Sequence, residues 1–261
     1  MTYFGFLVCF VALPIGLLSL LVLRDARRNR GFPLTPGGSR PWVILGLLVI
    51  VALVYTTPWD NYLVATRVWW YEPRLVTGIT FGWVPLEEYT FFVLQPILIV
   101  LWCLWVARRA PTASQSIGWP ARILLMGLLA GVWIGALVAL FASWPSARYL
   151  GLELAWALPP LFIQVAVGAG ALAQQRWLLL FTVIPVTIYL SVTDSIAISM
   201  GIWTINPARS LGVMLGKLPL EEGLFFLLTT TLVSIGFILA LAAQKRDLFR
   251  LQPSLSLEPN R

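Results

Sequence analysis

The sequence predicts an all-α integral membrane protein of seven transmembrane helices, ordered as a 3+1+3 parallel repeat with a pseudo-twofold axis along the membrane normal. Three observations carry that expectation. Of 261 residues, 59% are hydrophobic and only 11% charged, with a mean hydropathy of +0.85. A soluble domain is about 45–50% apolar and roughly 25% charged, so this chain has too few polar groups to cover a water-facing surface. Seven uncharged stretches reach the length of about 20 residues that a bilayer crossing needs. Finally, the chain matches itself at a fixed offset.

The first stretch, Thr2–Leu23, has no basic residue before it and is followed by Arg24, Arg27, Arg28 and Arg30. A signal peptide has the opposite polarity, so this is read as a retained span with its N-terminus outside. The others are Trp42–Trp59, Tyr89–Ala107, Ile123–Ser146, Leu154–Gln175, Trp177–Thr193 and Gly223–Gln244. With that orientation, thirteen Lys and Arg fall on the cytoplasmic side and five outside. This bias obeys the positive-inside rule and places the C-terminus in the cytoplasm of a cell-membrane protein. The tail from Gln252 onward is polar and expected to be disordered.

Composition removes several function classes. There is no His, so the usual general base and commonest metal ligand are missing. Cys9 and Cys103 stand alone in apolar runs, which suggests neither a disulfide nor a metal pair. The net charge of +7 flanks apolar segments, which topology explains better than nucleic acid does. No GxGxxG or P-loop occurs, so neither cofactor nor metal is expected.

Shifted by 134 positions, Asp60 falls on Asp194, Trp69 on Trp203 and Pro73 on Pro207. Pro85-Leu86-Glu87-Glu88 falls on Pro219-Leu220-Glu221-Glu222, and Phe91-Phe92 on Phe225-Phe226. Eleven of 33 positions are identical, where unrelated segments would give roughly two. At a shift of 146, Tyr3, Gly5 and Pro14 meet Tyr149, Gly151 and Pro160. The expected units are 1–109, a linker helix within 110–147, a second repeat over 148–244, and a polar tail over 245–261. An odd linker gives both triplets one orientation, so both Pro-Leu-Glu-Glu motifs open toward one side.

Glu87, Glu88, Glu221 and Glu222 are candidate catalytic residues. Glu in the first turn after Pro is also an ordinary helix start. Acids at membrane depth, however, are costly and usually face a bundle interior. Neighbours on a helix point about 100° apart, so one Glu of each pair can face inward while the other accepts hydrogen bonds. Desolvation and the positive helix N-terminus pull an inward carboxyl in opposite directions. Lys217 stands where the first repeat has Trp83, so an ion pair with Glu221 or Glu222 would set the two halves apart. Asp60 and Asp194 end their spans; they read either as interfacial caps or as a shared proton relay. Trp69 and Trp203 lie in the following loops, where belt residues and cation-stabilising π faces are both open readings. Phe91, Phe92, Phe225 and Phe226, with Pro85 and Pro219, complete the candidate substrate-binding set. Buried carboxyls, aromatics and an apolar cavity together suit proton-initiated carbocation chemistry on a lipid-soluble substrate.

Thr56-Thr57-Pro58-Trp59-Asp60-Asn61-Tyr62, Trp69-Trp70-Tyr71 and Val84-Pro85-Leu86-Glu87-Glu88-Tyr89 resemble the first half of the heterodimer-type and fungal-type lycopene cyclases. Leu218-Pro219-Leu220-Glu221-Glu222-Gly223-Leu224-Phe225-Phe226 resembles the second half, and the likeness runs from Tyr3 to about Gly236. In that family two three-span units act together, as separate subunits or one fused chain, and this chain resembles the fused form. The resemblance implies a flavin-independent β-cyclase that converts lycopene to γ- and β-carotene without net redox. Its Pro-x-Glu-Glu motif implies acid–base roles for Glu87, Glu88, Glu221 and Glu222. It also implies lycopene from the bilayer as substrate, with membrane lipids and other carotenoid-pathway enzymes as partners. Ser199-Met200-Gly201-Ile202-Trp203 lacks the basic residues of many relatives, which keeps ε-cyclase and C50-carotenoid prenyl-adding functions as alternatives. A hydratase, a pigment-binding protein and a parallel-repeat transporter are the remaining readings. A transporter would place polar residues at the midplane of several spans, whereas these gather at one end.

Overall fold

The computed structural model describes residues 1–28, 40–111, 113 and 117–251, with backbone alone from 244 onward. Arg30, the tail from Gln252 and the side chains of Lys245, Arg246 and Arg250 lie outside the described residues. The seven apolar runs form α1 (Tyr3–Arg27), α2 (Pro41–Ala65), α3 (Leu86–Val106), α4 (Trp119–Phe141), α5 (Arg148–Gln174), α6 (Arg176–Ser199) and α7 (Leu220–Leu251). Each is long and apolar enough to cross a bilayer, so the chain is an all-α multi-pass membrane protein. The core sits around α3 and α7, whose apolar windows are 61% and 56% buried, against 6–33% for the other five. Between them Gln95 Nε2 donates to Thr229 Oγ1 at 2.9 Å. α4 packs on α5 and turns most of its surface outward.

The helices run past the ends that the uncharged stretches suggest. α2 continues through Asp60 and α6 through Asp194, so neither Asp ends or caps its helix. Hydropathy stops a span at the first acid, but an acid facing the bundle interior marks no water boundary. Both are buried, at 1% and 3% exposure. By the same logic α5 begins at Arg148 and takes in Glu153.

Proline explains much of the inter-helix bonding. Inside a helix it leaves the carbonyl four residues earlier without its N–H, and a bilayer has no water to replace it. Ahead of Pro14, the Phe10 carbonyl accepts from Tyr189 Oη at 2.8 Å. Ahead of Pro160, the Trp156 carbonyl accepts from Tyr55 Oη, also at 2.8 Å. The Ala155 carbonyl, ahead of Pro159, accepts from Trp133 Nε1 at 3.2 Å. Finally, the Phe181 carbonyl ahead of Pro185 accepts from Trp102 Nε1 at 2.9 Å. Each of these four carbonyls thus pins one helix to another.

The loops before α3 and α7 fold onto one end of the bundle. β1 (Trp69–Tyr71) pairs antiparallel with β4 (Trp203–Ile205), with Trp70 opposite Thr204. Glu72 N→Ile202 O (2.9 Å) and Asn206 N→Val68 O (2.8 Å) extend this ribbon at its two ends. β2 (Thr80–Phe81) and β3 (Val84–Pro85) form one hairpin, and β5 (Met214–Leu215) and β6 (Leu218–Pro219) another. Each turn opens with a glycine at positive φ, Gly82 at 67° and Gly216 at 68°, as a two-residue hairpin turn of that hand requires. At the other end of the bundle Asp25 pairs with Arg108 at 3.2 Å and Arg109 at 3.1 Å, tying α1 to the end of α3.

Candidate active site

Each hairpin ends in a proline that delivers a Glu pair into the first turn of a helix: Glu87-Glu88 on α3 and Glu221-Glu222 on α7. The roughly 100° turn between neighbours separates their surroundings. Glu87 faces its own loop, where Oε1 accepts from Thr77 N at 2.6 Å and Oε2 from Thr77 Oγ1 at 3.3 Å. Glu221 does the same, accepting from Leu211 N at 2.6 Å. The second member of each pair faces the bundle. Glu88 Oε2 accepts from Tyr3 Oη at 2.6 Å and from Tyr71 Oη at 3.1 Å. Glu222 Oε1 accepts from Tyr149 Oη at 2.8 Å.

Those inward glutamates share one cleft. Asp60 of α2 and Asp194 of α6 line it too, and so do Trp69 and Trp203 of the ribbon and Phe91, Phe92, Phe225 and Phe226. Among the described residues, no Lys or Arg lines it. Neither carboxyl oxygen of Asp60 has a hydrogen-bond partner among the described residues, nor has Asp194 Oδ2. Aromatic rings form most of the remaining wall. Trp59 lies 5.8 Å from Trp69 and 4.5 Å from Trp156, and Tyr3 lies 5.0 Å from Trp203. The Tyr71 phenol, outside the spans on β1, is held well above its usual range by burial and then by Asp60 and Glu88. It therefore stays a hydrogen-bond donor to Glu88, while Trp69 Nε1 donates to its oxygen at 3.2 Å.

Ten of the fourteen candidate residues thus line one space. Glu87, Glu221, Pro85 and Pro219 lie outside its lining, the first two turned to loop backbone and the prolines buried in β3 and β6. Lys217 is exposed on its hairpin turn, and the ion pairs among the described residues do not include it. Removing the loop anchor tests its weight. Glu87→Ala or Glu221→Ala leaves a backbone N–H unpaired, at a cost of about 1–3 kcal/mol. Faster amide exchange over 72–85 or 206–219 is the expected outcome.

Sequence reasoning missed Tyr3, Tyr149 and Trp59 as cleft residues, although the offset of 146 already matched Tyr3 to Tyr149. It also missed Glu153, which is fully buried one turn after Tyr149 with neither carboxyl oxygen partnered among the described residues. The offset places Leu7 opposite it. An unpartnered buried polar group costs roughly 1–3 kcal/mol by mutational measures. Glu153→Leu is therefore expected to raise the thermal unfolding midpoint; an unchanged or lowered midpoint would mean that this carboxyl has partners.

The family model described as lycopene cyclase matches residues 2–106 and 146–241, two segments that bracket α4. A lycopene beta-cyclase of Halobacterium salinarum is 39% identical over 233 residues, which cover 88% of this chain and 93% of that protein. A bifunctional lycopene cyclase/phytoene synthase of Gibberella fujikuroi is 36% identical over 203 residues, covering 74% of this chain and 34% of the relative. One from Aspergillus oryzae is 32% identical over 206 residues, covering 76% and 34%. No solved structure matches the chain. With both segments of the family model matched and a relative of nearly the same span at this identity, the chain belongs to the lycopene cyclase family.

Proposed function

We propose that this protein is a lycopene β-cyclase, closing the acyclic ends of lycopene into β-ionone rings by acid–base chemistry inside the membrane. The observation that carries the reading is the cation-free cleft, in which two phenol-bonded glutamates and two aspartates face aromatic walls. A proton is added to the terminal double bond, leaving a tertiary cation. The neighbouring double bond attacks it and closes the six-membered ring. Loss of a ring proton restores a double bond, so the formula is unchanged and no oxidant is needed.

The residues divide the work by their hydrogen bonds. A good acid leaves a stabilised carboxylate, and hydrogen bonds to an ionised acceptor are roughly twice as strong as neutral ones. Glu88, with two phenol donors, is the proton donor in this reading, and Glu222, with one, is its counterpart. The carboxylate formed at Glu88 pairs with the carbocation, and the aromatic faces stabilise the positive charge. Asp60 takes the ring proton on a free oxygen and passes its own to Glu88, which resets the acid; Asp194 does the same beside Glu222. Water kept out of the cleft prevents hydroxylated products. Glu87 and Glu221 hold the loops over the site.

The matched contacts support the two-repeat architecture. Residues 134 apart pair across the centre as Trp70–Thr204 and Gln95–Thr229. The Tyr55–Trp156 and Tyr189–Phe10 bonds are exchanged by the same offsets, as are those of Glu72 and Asn206. A pseudo-twofold axis along the membrane normal then passes between α3 and α7, relating units 1–109 and 148–244 about the linker helix in 110–147. The tail is 245–261. The basic bias puts the cleft and N-terminus outside and the C-terminus in the cytoplasm of the cell membrane. Lipids and enzymes that make lycopene are the expected neighbours, and nucleic acid is not.

Pigment analysis of lycopene-producing bacteria that express this chain alone tests the function. β-Carotene or γ-carotene is the expected product. ε-Ringed or prenylated C50 products would instead favour the alternatives, and unchanged lycopene beside well-expressed protein would contradict the reading.

A further inference from the structure

Beside the acid cleft a second space opens sideways between α2, α3, α5 and α7. It shares two wall residues with the cleft, Phe92 and Phe225, so the two spaces meet at those rings. Its outer edge faces the bilayer, where Val51 is 60% and Tyr55 41% exposed. We propose that this groove is the binding site for the conjugated polyene chain of the substrate, holding it while one end lies in the cleft. The proposal rests on the cyclase reading above and adds where the rest of the substrate lies.

The groove is a built feature. Tyr55 Oη donates to the Trp156 carbonyl, freed by Pro160, and Trp156 Nε1 donates back to the Tyr55 carbonyl at 3.4 Å. This reciprocal pair locks α2 to α5 and fixes the face of the indole. From it a row of nearly parallel rings leads inward. Tyr55 stacks on Trp156 at 5.6 Å and 23°, Trp156 on Trp59 at 4.5 Å and 19°, and Trp59 on Phe225 at 5.8 Å and 5°. A rigid row of ring edges suits a flat, polarisable conjugated chain, whose dispersion contacts add up along its length. A flexible saturated acyl chain gains less from such a surface and loses more conformational freedom on it.

A corresponding groove lies between α1, α3 and α6, with Pro14 and Tyr189 in the matching places. It lacks the ladder, because Phe10 stands where Trp156 does and Thr193 where Trp59 does. None of its lining residues also lines the cleft. The two halves are therefore unequal as polyene sites, and the groove beside Trp156 is the one assigned.

The test uses the full chain in lipid nanodiscs, titrated with lycopene and followed by tryptophan quenching, alongside turnover. Ala52→Trp fills the assigned groove and Leu17→Trp the other one. Over-filling a packed site costs about 1–3 kcal/mol, so Ala52→Trp is expected to weaken lycopene binding and raise KM about tenfold, with kcat much less affected. Leu17→Trp is expected to bind as the parent does. Trp156→Phe, milder and matching the residue at Phe10, is expected to weaken binding in the same direction, with a small fall in the thermal midpoint from the lost bond to the Tyr55 carbonyl. The proposal is overturned if Ala52→Trp and Trp156→Phe bind normally, if Leu17→Trp takes the loss, or if stearic acid displaces lycopene at equal concentration. A parent chain that binds lycopene but forms no ring would sink the cyclase reading, and the same binding series would still decide the groove.

Discussion

Glu88→Gln is expected to abolish ring formation while the protein still folds and binds lycopene. Glutamine keeps the size of the side chain and an oxygen that accepts from Tyr3 and Tyr71, so the local hydrogen bonds survive. What it lacks is an acidic proton. A positioned acid contributes typically 10²–10⁴-fold, and a loss of about that size is the expected fall in kcat. Glu222→Gln is expected to lose less, because Glu222 has a single phenol donor and Glu88 remains. Glu87→Gln is the control: its amide oxygen still accepts from Thr77 N, so activity near that of the parent is expected. Turnover of the three purified variants, with lycopene binding measured on each, decides it. If Glu87→Gln were the inactive variant and Glu88→Gln the active one, the division of labour within each pair would be reversed.

Asp60→Leu is expected to separate stability from function. An unpartnered carboxyl at 1% exposure is a cost to the fold, roughly 1–3 kcal/mol, that an apolar residue of similar size removes. The thermal midpoint is expected to rise. Turnover is nevertheless expected to fall by about 10²-fold or more, since the ring proton then has no carrier back to Glu88. Asp60→Asn should lose turnover similarly, because its amide cannot exchange a proton in the same way. A stabilised Asp60→Leu with full activity would remove Asp60 from the reaction and leave it as an ancestral feature of the repeat.

The membrane fold was legible because lipid and core make the same demand on composition, and seven apolar runs satisfied it in order. Boundaries were not. Spans drawn to exclude charge stopped at Trp59 and Thr193 and began at Leu154, so Asp60 and Asp194 seemed terminal and Glu153 fell outside. Hydropathy averages around a helix, whereas these acids occupy only the inward face. The convergence of the acids was half legible. The offset of 134 set Glu88 and Glu222, and Asp60 and Asp194, in matching places, and the cleft gathers all four. Which Glu of each pair turns inward depends on the rotation of α3 and α7 as they leave the hairpins, and a Glu-Glu dipeptide does not encode that. The phenols were harder still. Tyr3 reaches Glu88 across 85 residues and Tyr149 reaches Glu222 across 73, and no local pattern connects such partners. The pairing of β1 with β4 was hidden for the same reason, since three-residue strands in aromatic loops carry no periodicity.

Cyclisation by proton addition and proton loss is the central claim, and a solvent isotope measurement tests it most directly. The purified chain in lipid nanodiscs would be given lycopene in D2O, and the ringed product analysed by mass spectrometry. The expected result is one deuterium retained per ring, and a product made in H2O with the mass of lycopene itself. A ringed product without deuterium, or one whose mass in H2O has changed by two hydrogens or one oxygen, would contradict the account.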